Sequence, residues 1–293
     1  MTPRTVPPGP RPLTEAHAHI IADGASYAAA QLRHKLAPDA AFIRSQLTAI
    51  QASSVTFYRD GGDKLGVSAR AKTLAPEYGI DYRTPVAILH RAGYYGGLYG
   101  FAFRDLAEYR ALVRRVKAEG ADFIKLAVSG ILDFAGDGGL LGASLTLQEL
   151  IALVNVAHGE GFRVMAHCNG AENVKNALAA GVSSIEHGFG TDAEAIGLLC
   201  ETGAVWVPTA VTVANNLGGG RFPDATLRGI LSRHTDALRL ANTRGALIAC
   251  GSDGGAFGVP QGQGTRDEDA LLRSFGIDPA RGNDKIREMF RRL

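Results

Sequence analysis

The sequence predicts an α/β fold, a (β/α)8 TIM barrel, from three observations. The chain has 293 residues, which suits a barrel of this type with its typical size of about 250 residues. Short apolar runs alternate with helix-like stretches, as in βαβ units of a parallel sheet. No Gly-x-Gly-x-x-Gly follows the first run, which disfavours the alternative of an open doubly wound sheet. We therefore expect an extended Pro-rich tail over 1–13 and one barrel domain over 14–293.

Each predicted element follows from a local pattern. Eight apolar runs predict the strands, at 14–20, 54–60, 84–90, 122–128, 162–168, 183–187, 204–209 and 247–252. Helices are predicted between and after them, at 26–50, 65–78, 103–119, 146–160, 171–180, 191–202, 224–245, 267–275 and 283–292. The stretch 103–119 is strongly amphipathic, and Thr146 with Glu149 forms a capping-box pattern. The segments 214–223 and 254–266 read as loops over the barrel mouth, the first as a candidate lid.

Composition excludes several classes of protein. Hydrophobic residues make up 46% of the chain, so a sizeable core can be buried. Lys and Arg number 31 against 29 Asp and Glu, and this balance argues against a nucleic-acid partner. No apolar run reaches the roughly 18 residues of a membrane span, and the first residues lack the apolar segment of a signal peptide. The three cysteines, Cys168, Cys200 and Cys250, form no Cys-x-x-Cys pair, so we expect a reducing, cytoplasmic location.

Four histidines fall near the carboxyl ends of predicted strands, where barrel active sites are built. His17 and His19 are two apart on the first strand, so both side chains can point to the same side and bind one ion. His167 and His187 are 20 residues apart, which is room for one strand-to-strand step. Each histidine alone is compatible with a structural role, whereas four at matching positions favour a metal site.

Lys125 and Asp253 extend this set. Lys125 lies inside an apolar strand, where burial lowers the pKa of an ammonium group. It is compatible with an ion-paired lysine, a Schiff-base lysine or a lysine carbamate that bridges two cations. Asp253 ends the eighth predicted strand, where a turn or cap role is the alternative. Imidazole and carboxylate are ligands that zinc prefers, and six such groups suit two ions better than one.

In this ordered set of motifs the sequence resembles the amidohydrolase superfamily, in its branch of imidazolonepropionase-like and prolidase-like metal-dependent hydrolases. The matching segments are EAHAHI (15–20), DFIKLAVSG (122–130), RVMAHCNG (163–170), SIEHG (184–188) and GSDGG (251–255), with YYGGLYG (94–100) as a further similarity. Many relatives in this branch carry a small β-sandwich built from both chain ends. Here we expect a barrel-only form that lacks most or all of it.

The resemblance implies a binuclear centre of two divalent ions, with zinc expected. His17, His19 and Asp253 would hold the more buried ion, and His167 with His187 the other. Lys125, carboxylated by carbon dioxide, would bridge them. Hydroxide held by the pair would attack an amide or cyclic amide, and Asp253 would move its proton to the leaving nitrogen.

Substrate contacts and rival functions are less specified. The candidate substrate-binding residues lie at strand ends or in the loops that follow, namely His90, Tyr94, Tyr95, Asn169 and Thr209, with Asp60 and Ser129 as further candidates. The same centre could serve a lactone, ester or phosphotriester hydrolase. A Schiff-base lyase using Lys125 and a non-enzymatic barrel are the remaining alternatives. The partner expected is a small-molecule substrate, and a homo-oligomer is left open.

Overall fold

The computed structural model describes residues 11–290. Of the tail predicted over 1–13, residues 1–10 lie outside the described part, and Leu13 already begins the first strand. The strands are β1 Leu13–Ala18, β2 Val55–Asp60, β3 Asp81–Arg83, β4 Ile88–Arg91, β5 Gly100–Phe103, β6 Ile124–Ala127, β7 Ile131–Leu132, β8 Leu140–Leu141, β9 Val164–Cys168, β10 Ser184–His187, β11 Val205–Val207 and β12 Leu247–Ile248.

Helices fill most of the intervals between these strands. They are α1 Tyr27–Arg33, α2 Ala40–Ala52, α3 Val67–Leu74, α4 Leu106–Ala118, α5 Leu147–Gly159, α6 Ala171–Ala179, α7 Ala193–Thr202, α8 Val211–Ala214, α9 Asp224–Thr243, α10 Gln263–Ser274 and α11 Ala280–Met289, with a 3-10 turn at Ala75–Tyr78. The capping box predicted at Thr146 and Glu149 is confirmed at the start of α5. Within residues 11–290, no helix is long and apolar enough to cross a membrane.

The strands form a mixed α/β fold whose two main sheets are parallel. One sheet has the order β1-β2-β3 and the other β12-β11-β10-β9-β6-β4-β5, while β7 and β8 make a separate antiparallel hairpin. Backbone hydrogen bonds join the sheets at two places, from Ala16 N to Cys250 O (2.9 Å) and from Asp122 N to Thr84 O (2.8 Å). The α/β class is therefore confirmed, whereas closure into one eight-stranded barrel and the lack of a β-sandwich stay predictions.

Local backbone chemistry explains where elements differ from the sequence prediction. The helix predicted over 26–50 is two helices, because Pro38 interrupts it and Asp39 caps the second by accepting from Ala41 N and Phe42 N. The strand predicted over 84–90 is wrong at its start, since Pro85 lacks an N–H and Val86 has a φ of 67°. Strand β5 and the β7–β8 hairpin were not predicted.

The strands are packed on both sides. Their outward side chains, including those of Cys168 and Cys250, form the main core with the surrounding helices, so both thiols fill the core as expected. A second apolar cluster joins strand residues such as Phe57, Met165 and Val207 to Phe290 just after α11. This packing fixes the strands and thereby the positions of the side chains at their carboxyl ends.

Candidate functional site

The four predicted histidines come together at the carboxyl ends of the strands. The His187 ring centroid lies 4.8 Å from that of His17 and 4.6 Å from that of His167. The ring centroids of His17 and His19 are 5.5 Å apart. His17 is on β1 and His19 follows just after it, and alternate residues of an extended chain point to the same side. Burial lowers the pKa of His19 and of His167 to about 3, and holds those of His17 and His187 well below the ordinary range. All four rings are therefore neutral, the form that binds metal.

Asp253 lies beside the first of these histidines. Its Oδ1 is 3.6 Å from His17 Nε2 and 3.7 Å from His19 Nε2. One nitrogen or oxygen each of His17, His187 and Asp253 lie within 4.8 Å of one another. Burial raises the pKa of Asp253 to about 6, against the lowering effect of Lys125. The eighth predicted strand thus delivers its carboxylate to the same place as the imidazoles.

Lys125 points into the same cluster. Its side chain is buried, and its Nζ lies 3.4 Å from His17 Nε2. Burial lowers the pKa of this amine to about 8, while the Glu186 carboxylate acts to raise it. Within residues 11–290, no carboxylate forms an ion pair with Lys125 within 4.0 Å. An unpaired buried amine among neutral imidazoles is costly unless its charge is removed.

Sequence reasoning missed the residues that hold the imidazoles. Glu186 is fully buried; its Oε2 accepts a hydrogen bond from His17 Nδ1 at 2.9 Å, and its carboxylate also accepts from Arg59 at 2.8 Å. With Nδ1 donating to Glu186, the lone pair of His17 is on Nε2, which faces Lys125 and Asp253 and is the nitrogen that could bind a cation. The available signal was a charged residue inside an otherwise apolar strand, as in TFYRD (56–60) and SIEH (184–187).

The imidazoles of His187 and His167 are also oriented through one ring nitrogen. His187 Nδ1 lies 2.8 Å from Thr209 Oγ1, and His167 Nε2 donates to Gly130 O at 3.0 Å. Each ring therefore keeps one nitrogen for a ligand. Thr209, predicted as a substrate contact, instead contacts His187 and does not line the cavity.

The backbone at these strand ends is unusual. His187, Thr209 and Asp253 have φ values of 69°, 51° and 58°, the left-handed region that non-glycine residues rarely adopt. Trp206 Nε1 donates to His187 O at 2.8 Å and supports one of these turns. Gly61 is needed for a different reason, because a Cβ there would lie 2.1 Å from His19 Cε1.

A cavity of about 660 Å³ opens over the histidine cluster. Of the predicted substrate contacts, Tyr94, Tyr95 and Asn169 line it, and the Tyr95 ring stacks on His167 at 4.4 Å. His90 does not line it; its Nδ1 donates to Arg91 O at 2.9 Å. Asn169 also uses its amide locally, donating to Gly130 O at 3.1 Å.

Two further candidates have structural contacts. Asp60 is buried and accepts hydrogen bonds from Ile20 N (2.9 Å) and from the Tyr82 hydroxyl (2.8 Å). Ser129 Oγ accepts from Asn169 N at 2.8 Å. Both residues brace the strand ends, and neither lines the cavity.

The two segments predicted as loops over the barrel mouth supply walls of the cavity, and so does the hairpin, which was not predicted. Phe134, on the hairpin connection, packs edge-on against Phe222 with ring centroids 5.6 Å apart. Arg221 and Phe222, from the loop predicted as a lid, both line the cavity, as does Phe257. The loop 214–223 therefore borders the cavity mouth.

The residues present fit a metal centre. Neutral imidazoles and a carboxylate converge from separate strands, and Glu186 fixes His17 so that one nitrogen stays available. This donor set suits zinc and other divalent ions that accept nitrogen and oxygen ligands.

Comparisons with known proteins agree with this arrangement. Residues 40–281 match the protein-family model described as the Amidohydrolase family. Uncharacterized proteins of Mycobacterium tuberculosis and Mycobacterium bovis are 30% identical over 186 residues, which is 61% of this chain. The chain spans about half the length of these curated relatives, since the match covers 49% of each.

Solved structures share the fold. A Xaa-Pro dipeptidase with bound methionine is 25% identical with a TM-score of 0.75, over 95% of this chain and 75% of that one. A prolidase from Bifidobacterium longum, described as putative, is 24% identical with a TM-score of 0.71, over 95% and 69% of the two chains. An A. niger ochratoxinase is 22% identical with a TM-score of 0.72, over 94% and 68%.

Proposed function

The chain belongs to the amidohydrolase family, and on this premise we propose that it is a metal-dependent hydrolase of carbon–nitrogen bonds in small amides or cyclic amides. The observation that carries the proposal is the convergence of His17, His187 and Asp253, with ligand atoms within 4.8 Å of one another. These residues come from three distant parts of the chain, and His19, Lys125 and His167 surround them.

We assign the ligands as the sequence predicted. His17, His19 and Asp253 would hold one divalent ion, and His167 with His187 a second, both zinc. The contacts of Asp253 with both first-strand histidines support the first group, and the 4.6 Å spacing of His167 and His187 supports the second. When bound, such ions polarise a carbonyl group and lower the pKa of water to about 7.

Lys125 is proposed to carry a carbamate. Its neutral amine would add to carbon dioxide, forming a new N–C bond and releasing one proton to solvent. The carbamate would be an anion whose oxygens could bind the two ions. The buried position of Lys125, 3.4 Å from His17 and without an ion pair to a described carboxylate, supports this assignment.

Asp253 is proposed as the proton carrier. Its carboxylate accepts a proton from the attacking water and then donates it to the leaving nitrogen, so that one residue acts as base and then as acid. Its position beside two imidazoles at the cavity floor supports this role. Glu186 holds His17 in one tautomer throughout, and Tyr95 covers His167 from the cavity side.

The wider fold proposal follows the same logic. We propose that the two parallel sheets complete one (β/α)8 barrel over residues 14–293, and the Ala16–Cys250 and Asp122–Thr84 hydrogen bonds support it. A cytoplasmic location and the absence of a nucleic-acid partner stay predictions, and a homo-oligomer stays open.

Metal content tests the proposed centre. Protein from cells grown with added zinc should contain about two zinc ions per chain. Lys125→Ala should lower that number sharply. Lys285→Ala is the matched control, because this lysine is on the surface and, among residues 11–290, forms an ion pair only with Glu288. Labelled bicarbonate should give a carbamate carbon signal by NMR in the wild type and in Lys285→Ala, but none in Lys125→Ala.

Activity assays separate the alternatives. The zinc-loaded wild type should hydrolyse members of an amide panel, and a chelator should abolish this activity. Activity on lactones or phosphotriesters alone would select the alternative hydrolase. Covalent trapping of a carbonyl compound by borohydride on Lys125, in protein without metal, would replace the proposal with the Schiff-base lyase.

A further inference from the structure

The cavity over the histidine cluster has a mainly aromatic wall. Its lining includes eight aromatic side chains, namely Tyr27, Tyr94, Tyr95, Tyr99, Phe134, Phe189, Phe222 and Phe257. Aliphatic side chains of the hairpin, such as those of Leu132 and Leu141, extend the same surface. Its volume of about 660 Å³ is in the range of sites for drug-sized ligands, about 300–1,000 Å³. Such a wall gains free energy by burying a bulky apolar group.

Few charged side chains line this wall. Outside the predicted metal centre, the charged lining residues are Asp133 and Arg221. Asp133 Oδ1 accepts from Ala135 N at 3.1 Å and from Gly136 N at 2.9 Å, so this carboxylate is held by the backbone of its own loop. Arg221 forms no ion pair with any carboxylate in residues 11–290, and so offers an open positive charge.

Neighbouring rings hold the Arg221 guanidinium in place. Its Cζ lies 3.7 Å from the Phe257 ring centroid and 5.3 Å from that of Phe222. Stacking on an aromatic face leaves the guanidinium edge free, and that edge can donate two parallel hydrogen bonds to a carboxylate. A cation positioned in this way at an aromatic wall repels basic substrates and attracts acidic ones.

We propose that this cavity binds amides that combine a bulky apolar group, aromatic or long-chain, with a carboxylate that pairs with Arg221. This substrate class rests on the proposed function and narrows it. Arg221 acts in substrate selection and has no part in bond cleavage. Small polar dipeptides leave most of the aromatic wall uncovered, and amines place a positive charge against Arg221.

Calorimetric titration of zinc-loaded protein with two probes tests the proposal. The probes are N-benzoyl-phenylalanine and its carboxamide, which differ only in the carboxylate. The wild type should bind the acid roughly 1.5- to fivefold more tightly, the range expected for a solvent-accessible ion pair. Arg221→Ala should abolish this preference, and Arg221→Glu should invert it.

The control variant is Arg228→Ala, which removes a nearby surface arginine paired with Asp224 and absent from the cavity wall. It should keep the wild-type preference. Equal affinity of the wild type for both probes, failure of both to bind, or an unchanged preference in Arg221→Ala would overturn the proposal. Absence of amide hydrolysis with intact acid preference would instead remove the proposed function, so the two failures can be told apart.

Discussion

Replacing Glu186 by glutamine should separate metal affinity from folding. Glu186 is fully buried and contacts both a predicted metal ligand and a buried arginine. It accepts hydrogen bonds from His17 Nδ1 at 2.9 Å and from Arg59 at 2.8 and 3.0 Å. Glu186→Gln keeps the size of the side chain but removes its charge. The amide can present an NH2 group to His17, which favours the tautomer whose proton occupies Nε2.

The two consequences have different magnitudes. Loss of a partner that orients a metal-binding histidine typically weakens metal affinity by about 10- to 100-fold. Arg59 is fully buried as well, and leaving a buried charge without its partner costs about 3–5 kcal/mol of unfolding free energy. Glutamine retains one acceptor for Arg59, so we expect a stability loss at the lower end of that range.

Competition with a chromophoric chelator measures the metal affinity, and urea unfolding of metal-free protein measures the stability. Arg59→Met in the Glu186→Gln background should recover stability without recovering metal affinity. Glu194→Gln, which alters an exposed glutamate paired with Lys175, should change neither quantity. Wild-type zinc affinity in a folded Glu186→Gln protein would refute the assigned role of His17 and its support.

Two further predictions concern backbone space and pH. Gly61→Ala should leave the protein folded by circular dichroism but lower its zinc content, because the new Cβ would lie 2.1 Å from the His19 ring. The control is Gly197→Ala, whose new Cβ would meet no atom within 4 Å. This variant should keep the wild-type zinc content. Burial raises the pKa of Glu268 from an ordinary 4.5 to about 8, so the folded state binds this proton more tightly than the unfolded state. Stability should therefore fall as the pH rises from about 5 to 8, and less steeply in Glu268→Gln, as urea unfolding across this window would show; parallel curves for the two proteins would contradict this.

Much of the fold could be predicted because the inner strands are short apolar runs. The observed β9, β10 and β11 fall within their predicted ranges, since buried parallel strands leave a clear pattern. Strand β5 was missed because Gly100–Phe103 is half-exposed and short. The hairpin was missed because Leu140 and Leu141 are exposed and lie in a glycine-rich segment, where periodicity carries no signal.

The candidate ligands could be predicted from the sequence, but the buried residues that hold them in position could not. His17, His187 and Asp253 could be found because strand ends meet at one face of a parallel fold. The Glu186–Arg59 pair is also on strands, yet pairing across 127 residues follows from register and not from sequence spacing. Arg221 lies on a loop, and its open charge depends on the positions of side chains from other loops.

The strained strand ends argue against a purely structural role for this cluster. His187, Thr209 and Asp253 hold positive φ values where glycine would be free of strain, and each such residue costs about 1–2 kcal/mol. Burial of neutral imidazoles and of the Lys125 amine adds a further cost, which packing alone would avoid with apolar side chains. A fold selected only for stability has no reason to concentrate these costs around one cavity. These costs meet at three mutually close ligand atoms, which is explained if the free energy of binding a cation offsets them. Zinc should therefore raise the unfolding midpoint of the wild type more than that of Asp253→Ala.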